Sequence, residues 1–148
     1  MKIVINVCYG GFNLSHAGVM YYAKVKGIKL YAYVLKWEDD LFSGKEYDRN
    51  DGAVIPYEKR KSRDRSVTIY YATKGGLKTE EEMHECIWYP GEIRRDDPAL
   101  VKTVEDLGEK ASGSYSKLKV VEIPDDVEWR IFECGGSEWV VDKNRVWR

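Results

Sequence analysis

The sequence predicts an α+β fold, with a mixed β-sheet, two main helices and a C-terminal β-meander in a single domain. Three observations carry this. Short β-branched or alternating runs open and close the chain. Two segments repeat apolar residues at helical spacing between recognisable caps. Gly-Gly and Pro-Asp-Asp turns then punctuate the last third. A length of 148 residues is enough to bury a core without disulfides or metal.

Residues 3–8 read as a buried first strand because four of them are β-branched. Ser15 is a good N-cap, and Ala17, Val19, Met20, Tyr22, Ala23 and Val25 give a helix an apolar surface up to Gly27. Residues 28–35 alternate as a second strand. From Trp37 to Ser66 the chain is polar, rich in Gly, Asp and Lys, and weakly periodic, which marks a long irregular excursion. A strand is expected at 67–72 and a turn at 74–77. Thr79 and Glu82 have capping-box spacing for a short helix reaching Cys86. Asp97 and Pro98 are an N-cap and first helical residue, followed by the stripe Leu100, Val101, Val104 and Leu107, with Gly113 as the stop. Strands at 118–123, 127–133 and 138–141 then form the meander, joined by turns at Pro124–Asp126 and Gly135–Gly136.

Composition excludes several function classes. The formal net charge of −1 provides no global field toward nucleic acid or membrane. The three cysteines share no Cys-x-x-Cys spacing, so neither a disulfide framework nor a zinc site is indicated. His84 with Cys86 is too sparse for a metal. No apolar run has the length of a signal peptide or a membrane span, and a cytoplasmic location is expected. Eleven tyrosines and five tryptophans suit core packing, interfaces and ligand stacking alike.

The most informative stretch is Tyr9-Gly10-Gly11-Phe12-Asn13-Leu14-Ser15, a glycine loop between strand and helix. It lacks both the Gly-Lys-Ser/Thr ending of a P-loop and the spacing of a dinucleotide fingerprint. Two readings stand side by side: backbone N–H groups converging on an anion, or a tight turn that glycine permits. Cys8 could be a nucleophile at the helix N-terminus. It has no evident base, however, and structural packing is the favoured reading. Arg94 and Arg95 precede the second helix and suit phosphate, unless Asp96 or Asp97 neutralises them. The basic run 59–65, with Tyr57, Tyr70 and Tyr71 nearby, could serve nucleic acid but reads better as a solvated loop. Asp39-Asp40 and Asp125-Asp126 read as turn pairs.

Three segments together carry a resemblance: Ile5-Asn6-x-Cys8-Tyr9-Gly10-Gly11-Phe12-x-Leu14-Ser15, Arg95-x-Asp97-Pro98-Ala99-Leu100-Val101 through Leu107-Gly108-Glu109-Lys110-Ala111, and Leu118-Lys119-Val120-Val121-Glu122-Ile123-Pro124-Asp125-Asp126-Val127-Glu128-Trp129. They resemble a family of small, largely uncharacterised proteins of tailed phages and prophages. Members often end in a His-Arg-x-Trp-like sequence, whereas Asn144 stands at the histidine position here. The resemblance implies a phage accessory protein in the bacterial cytoplasm. A recurrent strategy of such proteins is to sequester nucleotide-derived immune signals.

The reading that follows is a homo-oligomeric, non-enzymatic binder of a small phosphorylated nucleotide, a cyclic ADP-ribose isomer or cyclic oligonucleotide. No cofactor, metal or catalytic residue is expected, and neither membrane nor nucleic acid is an expected partner. Asn6, Cys8, Tyr9, Gly10, Gly11, Phe12 and Ser15 would form the ligand loop. Arg94, Arg95 and Asp97 would add polar contacts, and Tyr9, Phe12 or Trp147 would stack on a base. The alternatives are a nucleotide-processing enzyme using Cys8 or Asp97, and a module that blocks a host protein through the excursion.

Overall fold

Antiparallel pairing organises the strands of the computed structural model, which describes residues 1–36, 52–61 and 67–148. The α+β class and the C-terminal meander are as expected. The pairing differs, because the strands divide into three antiparallel sheets instead of one mixed sheet. The chain groups into two compact units, Met1–Ile28 with Pro90–Arg148, and Lys29–Tyr89.

In the first unit, β1 (Lys2–Asn6) pairs with β6 (Leu118–Glu122), Ile3 facing Val121 and Asn6 facing Leu118. Ile3, Val4, Ile5 and Asn6 are all fully buried, which is why this run carries no polar alternation. Strands β7 (Arg130–Cys134), β8 (Ser137–Val141) and β9 (Val146–Trp147) form the meander. Its inner face meets β1 and β6 in a core of Ile3, Ile5, Val121, Ile123 and Val140, with Trp129, Ile131 and Trp147 packed against it. Each fully buried aliphatic side chain contributes roughly 1.5–3 kcal/mol.

Helix α1 (His16–Lys26) starts at the Ser15 N-cap, whose hydroxyl accepts the Gly18 N–H, and ends at Gly27 in the left-handed region (φ 75°). Helix α3 (Pro98–Leu107) starts at Asp97, as the Asp-Pro signal predicts, but stops at Gly108 and not at Gly113. Gly108 adopts φ 57°, a conformation that costs other residues more, and a 3-10 turn over Gly108–Ala111 follows. The two helices run antiparallel. Tyr21 donates to Asp106 at one end, while Tyr22 and Lys26 both donate to Asp97 at the other. Burial works against the Asp97 carboxylate, but the bonds from Lys26, the Ala99 N–H and Tyr22 outweigh it and hold its pKa below the usual range.

The second unit has β2 (Tyr31–Leu35) at the centre of the sheet order β3-β2-β4-β5, with β3 at Val54–Pro56, β4 at Tyr70–Ala72 and β5 at Ile87–Trp88. Helix α2 (Glu80–His84) carries the expected capping box between Thr79 and Glu82. Tyr33, Leu35, Val54, Ala72, Leu77 and Met83 form this unit's core. Part of the excursion is therefore regular structure, since β3 and a 3-10 turn over Tyr57–Lys59 fall within it. Asp39, Asp40 and residues 62–65 of the basic run lie outside the described residues.

Candidate functional site

The loop that follows β1 is fastened to two other loops by a single buried side chain. Asn6 Nδ2 donates to the carbonyls of Cys8 (2.6 Å) and Gly136 (2.7 Å), and Oδ1 accepts the Lys117 N–H (2.8 Å). These partners use both amide hydrogens and the amide oxygen, and they fix which atom is which. The Asn6 main-chain N–H donates to Glu138 Oε2 at 2.9 Å. Asn6 thus joins the glycine loop, the 112–117 loop and the β7–β8 turn into one apex. Its role is to hold the site, not to present itself to a ligand.

Two of the glycines are required by backbone-on-backbone packing at that apex. A Cβ on Gly10 would sit 1.6 Å from the Tyr115 carbonyl oxygen. A Cβ on Gly136 (φ +89°) would sit 2.5 Å from the Gly11 nitrogen and 2.6 Å from the Tyr9 oxygen. Gly11, at φ +84°, faces open space. The N-terminus of α1 is also engaged from within the chain. Ser15 donates its hydroxyl to the Lys110 carbonyl and its N–H to the Ala111 carbonyl. These two carbonyl oxygens lie at the positive end of the helix, where an anion would compete with them. The tight-turn reading therefore explains Gly10, and the open side of the loop is at Gly11.

What the apex displays is aromatic. Tyr9 and Tyr115 are each 85 % exposed. Tyr115 Cβ lies 2.4 Å from where a side chain on Gly10 would begin, so the two tyrosines stem from adjoining backbone. The Tyr9 ring passes over Gly135, 3.4 Å from a Cβ built there. Tyr115 has φ 62°, the left-handed conformation, which costs a non-glycine residue about 1–2 kcal/mol. Strain of this kind gathers where the surroundings over-determine a functional loop. Tyr115 was not anticipated from the sequence. A single aromatic among the small residues Ser112, Gly113, Ser114 and Ser116 is the signal that could have found it.

The arginines are committed elsewhere. Arg95 forms a two-pronged ion pair with Glu138 (2.7 and 3.0 Å), with side chains 18 % and 6 % exposed, and its guanidinium lies 3.4 Å over the Phe12 ring. Burial pulls the Arg95 pKa down while Glu138 pushes it up, and the net direction is down from an ordinary value so high that the group stays cationic. The Arg95 carbonyl accepts the Val4 N–H at 2.8 Å. Arg95 and Glu138 thereby close the edge of β1 that β6 leaves unpaired. Arg94 pairs with Asp96, and Asp97 caps α3. Trp147 lies on the inner face of the meander, opposite Val140 and against the core, so it is not displayed beside the two tyrosines. Cys8 Sγ donates to the Tyr115 carbonyl at 2.9 Å, another bond within the apex.

Outside the apex, a shallow groove of about 660 Å³ runs along α3, lined by residues such as Met1, Lys2, Pro98, Val101 and Lys102. It holds none of the anticipated ligand residues; Lys2 pairs with Glu105 across it, and Lys102 pairs with Asp106 along α3. In the second unit the Arg60 guanidinium stacks on Tyr57 at 3.6 Å, so that basic run and tyrosine meet each other. Among the described residues, no cluster of three His, Cys, Asp or Glu could hold a metal ion, and no helix is long and apolar enough to cross a membrane. No family model, curated protein or solved structure matches the chain.

Proposed function

We propose that the three-loop apex is a binding site and that the protein holds a flat, nucleotide-class ligand there without turning it over. The observation that carries this reading is the pair Tyr9 and Tyr115, each 85 % exposed on backbone locked by glycine contacts and by Asn6. Leaving two large aromatic rings in water is unfavourable unless something stacks on them, and a pre-set backbone lowers the ordering cost of binding. Stacking is the main attraction, because Arg95 is neutralised by Glu138. Phosphate would be met at the open side of Gly11. Binding is favoured over turnover because the thiol of Cys8 and the carboxylate of Asp97 are both engaged in structural bonds. With the phage-family resemblance, the biological role is sequestration of a nucleotide-derived immune signal by a homo-oligomeric protein in the host cytoplasm.

Native mass spectrometry of the protein purified from bacteria tests this. A retained small molecule, recovered intact after heat denaturation and lost from Tyr9→Ala/Tyr115→Ala, is the expected result. Recovery of a chemically altered ligand would sink the non-catalytic reading. A second reading, capture of a host protein, is favoured by the Tyr, Gly and Ser make-up of the loops, which matches that of antibody-like contact loops. It predicts instead that the two tyrosines are needed for pull-down of one defined host protein.

A further inference from the structure

The outer face of the C-terminal sheet is built differently from its inner face. Burial alternates along β8, with Glu138 and Val140 inward, so Ser137, Trp139 and Val141 point outward. Register then places Phe132 beside Trp139 and Val146 beside Val141. Phe132 is 49 % exposed and Val146 56 %. The Phe132 and Trp139 rings are 5.3 Å apart at 46°, and the Arg148 guanidinium lies 5.0 Å over Trp139. Arg130 is exposed on the same side of β7, two residues from Phe132. The outward positions of the three strands therefore carry aromatic, aliphatic and cationic groups and no acid. Asp142 is turned to Arg145, and Glu133 accepts the Gly136 N–H at the turn.

We infer that this face binds single-stranded nucleic acid, stacking bases on Phe132 and Trp139 and meeting phosphates with Arg130 and Arg148. The charge complementarity is local: the chain as a whole is at −1, but the charged groups at the outward strand positions and over Trp139 are Arg130 and Arg148. Phe132 and Trp139 face each other across β7 and β8 with ring centroids 5.3 Å apart, wider than the roughly 3.4 Å base step of a duplex strand, so the platform suits unstacked bases better than duplex. Stacking on an open sheet face needs no base-specific hydrogen bond, so the binding is tolerant of sequence. A guanidinium already resting on Trp139 marks that ring face as accessible to a flat, electron-poor group, and the arginine can turn from ring to phosphate when a base takes its place. The inference uses neither Tyr9 nor Tyr115 and stands apart from the apex reading.

The test is fluorescence anisotropy of the full chain with a labelled oligo-deoxythymidine of roughly twelve nucleotides, within the ~4–16-nucleotide footprint of such surfaces. Binding should quench tryptophan emission, and its affinity should fall with salt at a log–log slope of about −1.4, as two contacts to a single strand require. Phe132→Ala should weaken it about tenfold or more. Trp139→Phe should retain most of the affinity, and Arg130→Gln/Arg148→Gln should flatten the salt slope. Absence of binding at protein concentrations of about 100 µM, at which even ordinary non-specific contacts register, would overturn the inference. Equal binding of an abasic strand of the same length would do so too, because stacking would then contribute nothing. Self-association in sedimentation that Phe132→Asp abolishes would assign the face to a second copy of the chain instead.

Discussion

Replacing Glu138 isolates the contact on which the apex depends. In Glu138→Ala the Arg95 guanidinium, 18 % exposed, loses its carboxylate, and the Asn6 N–H loses its acceptor inside the protein. Breaking a buried ion pair from one side costs about 3–5 kcal/mol. A chain of this size loses roughly 2–4 °C in Tm per kcal/mol, so a fall of about 6–20 °C is expected. Glu138→Gln should cost less, since its amide oxygen still accepts from Asn6 or Arg95. Arg95→Ala/Glu138→Ala should cost less than the sum of the single changes, because neither buried charge is then left alone. Urea and thermal melts of the wild type, Glu138→Ala, Glu138→Gln, Arg95→Ala and the double variant measure these differences. A Glu138→Ala loss below about 0.5 kcal/mol, the size of an ordinary surface change, would refute the reasoning.

The remaining predictions concern the loops and the helix pair. Gly10→Ala and Gly136→Ala should each destabilise far more than Gly11→Ala in urea melts. The first two place a Cβ against backbone, whereas Gly11 has open space and only the left-handed penalty of about 1–2 kcal/mol. Ser15→Ala should cost about 1–2 kcal/mol, for it removes the N-cap and the bond to Lys110. The lowered pKa of Asp97 contributes stability that is complete above the unfolded carboxylate value of about 4 and is lost as pH falls through the folded value. The stability gap between wild type and Asp97→Asn should therefore narrow on acidification. Burial, then the bond to Asp97, push Tyr22 up to about 12. Its contribution is present below the unfolded value of about 10 and fades between there and 12, so Tyr22→Phe should flatten the alkaline limb of a stability-versus-pH curve.

Local chemistry made much of this fold legible. Ser15 and Gly27 bound α1, Asp97 and Pro98 open α3, and the Thr79–Glu82 box opens α2, because caps act within a few residues. The end of α3 was misplaced because Gly108 and Gly113 both satisfy a stop signal, and only packing of the 3-10 turn between them chooses. Short strands such as β3, β5 and β9 carry too few residues to show a period, and their pairing is set by distant partners. At the site, the glycine loop was visible, but the reason for its glycines was not. Gly10 meets Tyr115 across more than a hundred residues, and Gly136 meets Gly11 across a similar span. Arg95 looked available for phosphate because Glu138, its partner 43 residues on, has no local signature. Asn6 likewise becomes a fastening through bonds to Gly136 and Lys117, more than a hundred residues away.

The most direct test of the central claim is calorimetric titration of the wild-type protein with cyclic ADP-ribose isomers and cyclic oligonucleotides, repeated on Tyr9→Ala/Tyr115→Ala. Binding of one of these ligands, without product formation and lost in a variant whose thermal melt is unchanged, is the predicted result. Heat from a folded Tyr9→Ala/Tyr115→Ala protein equal to that of the wild type would contradict the account, as would no binding by the wild type at all.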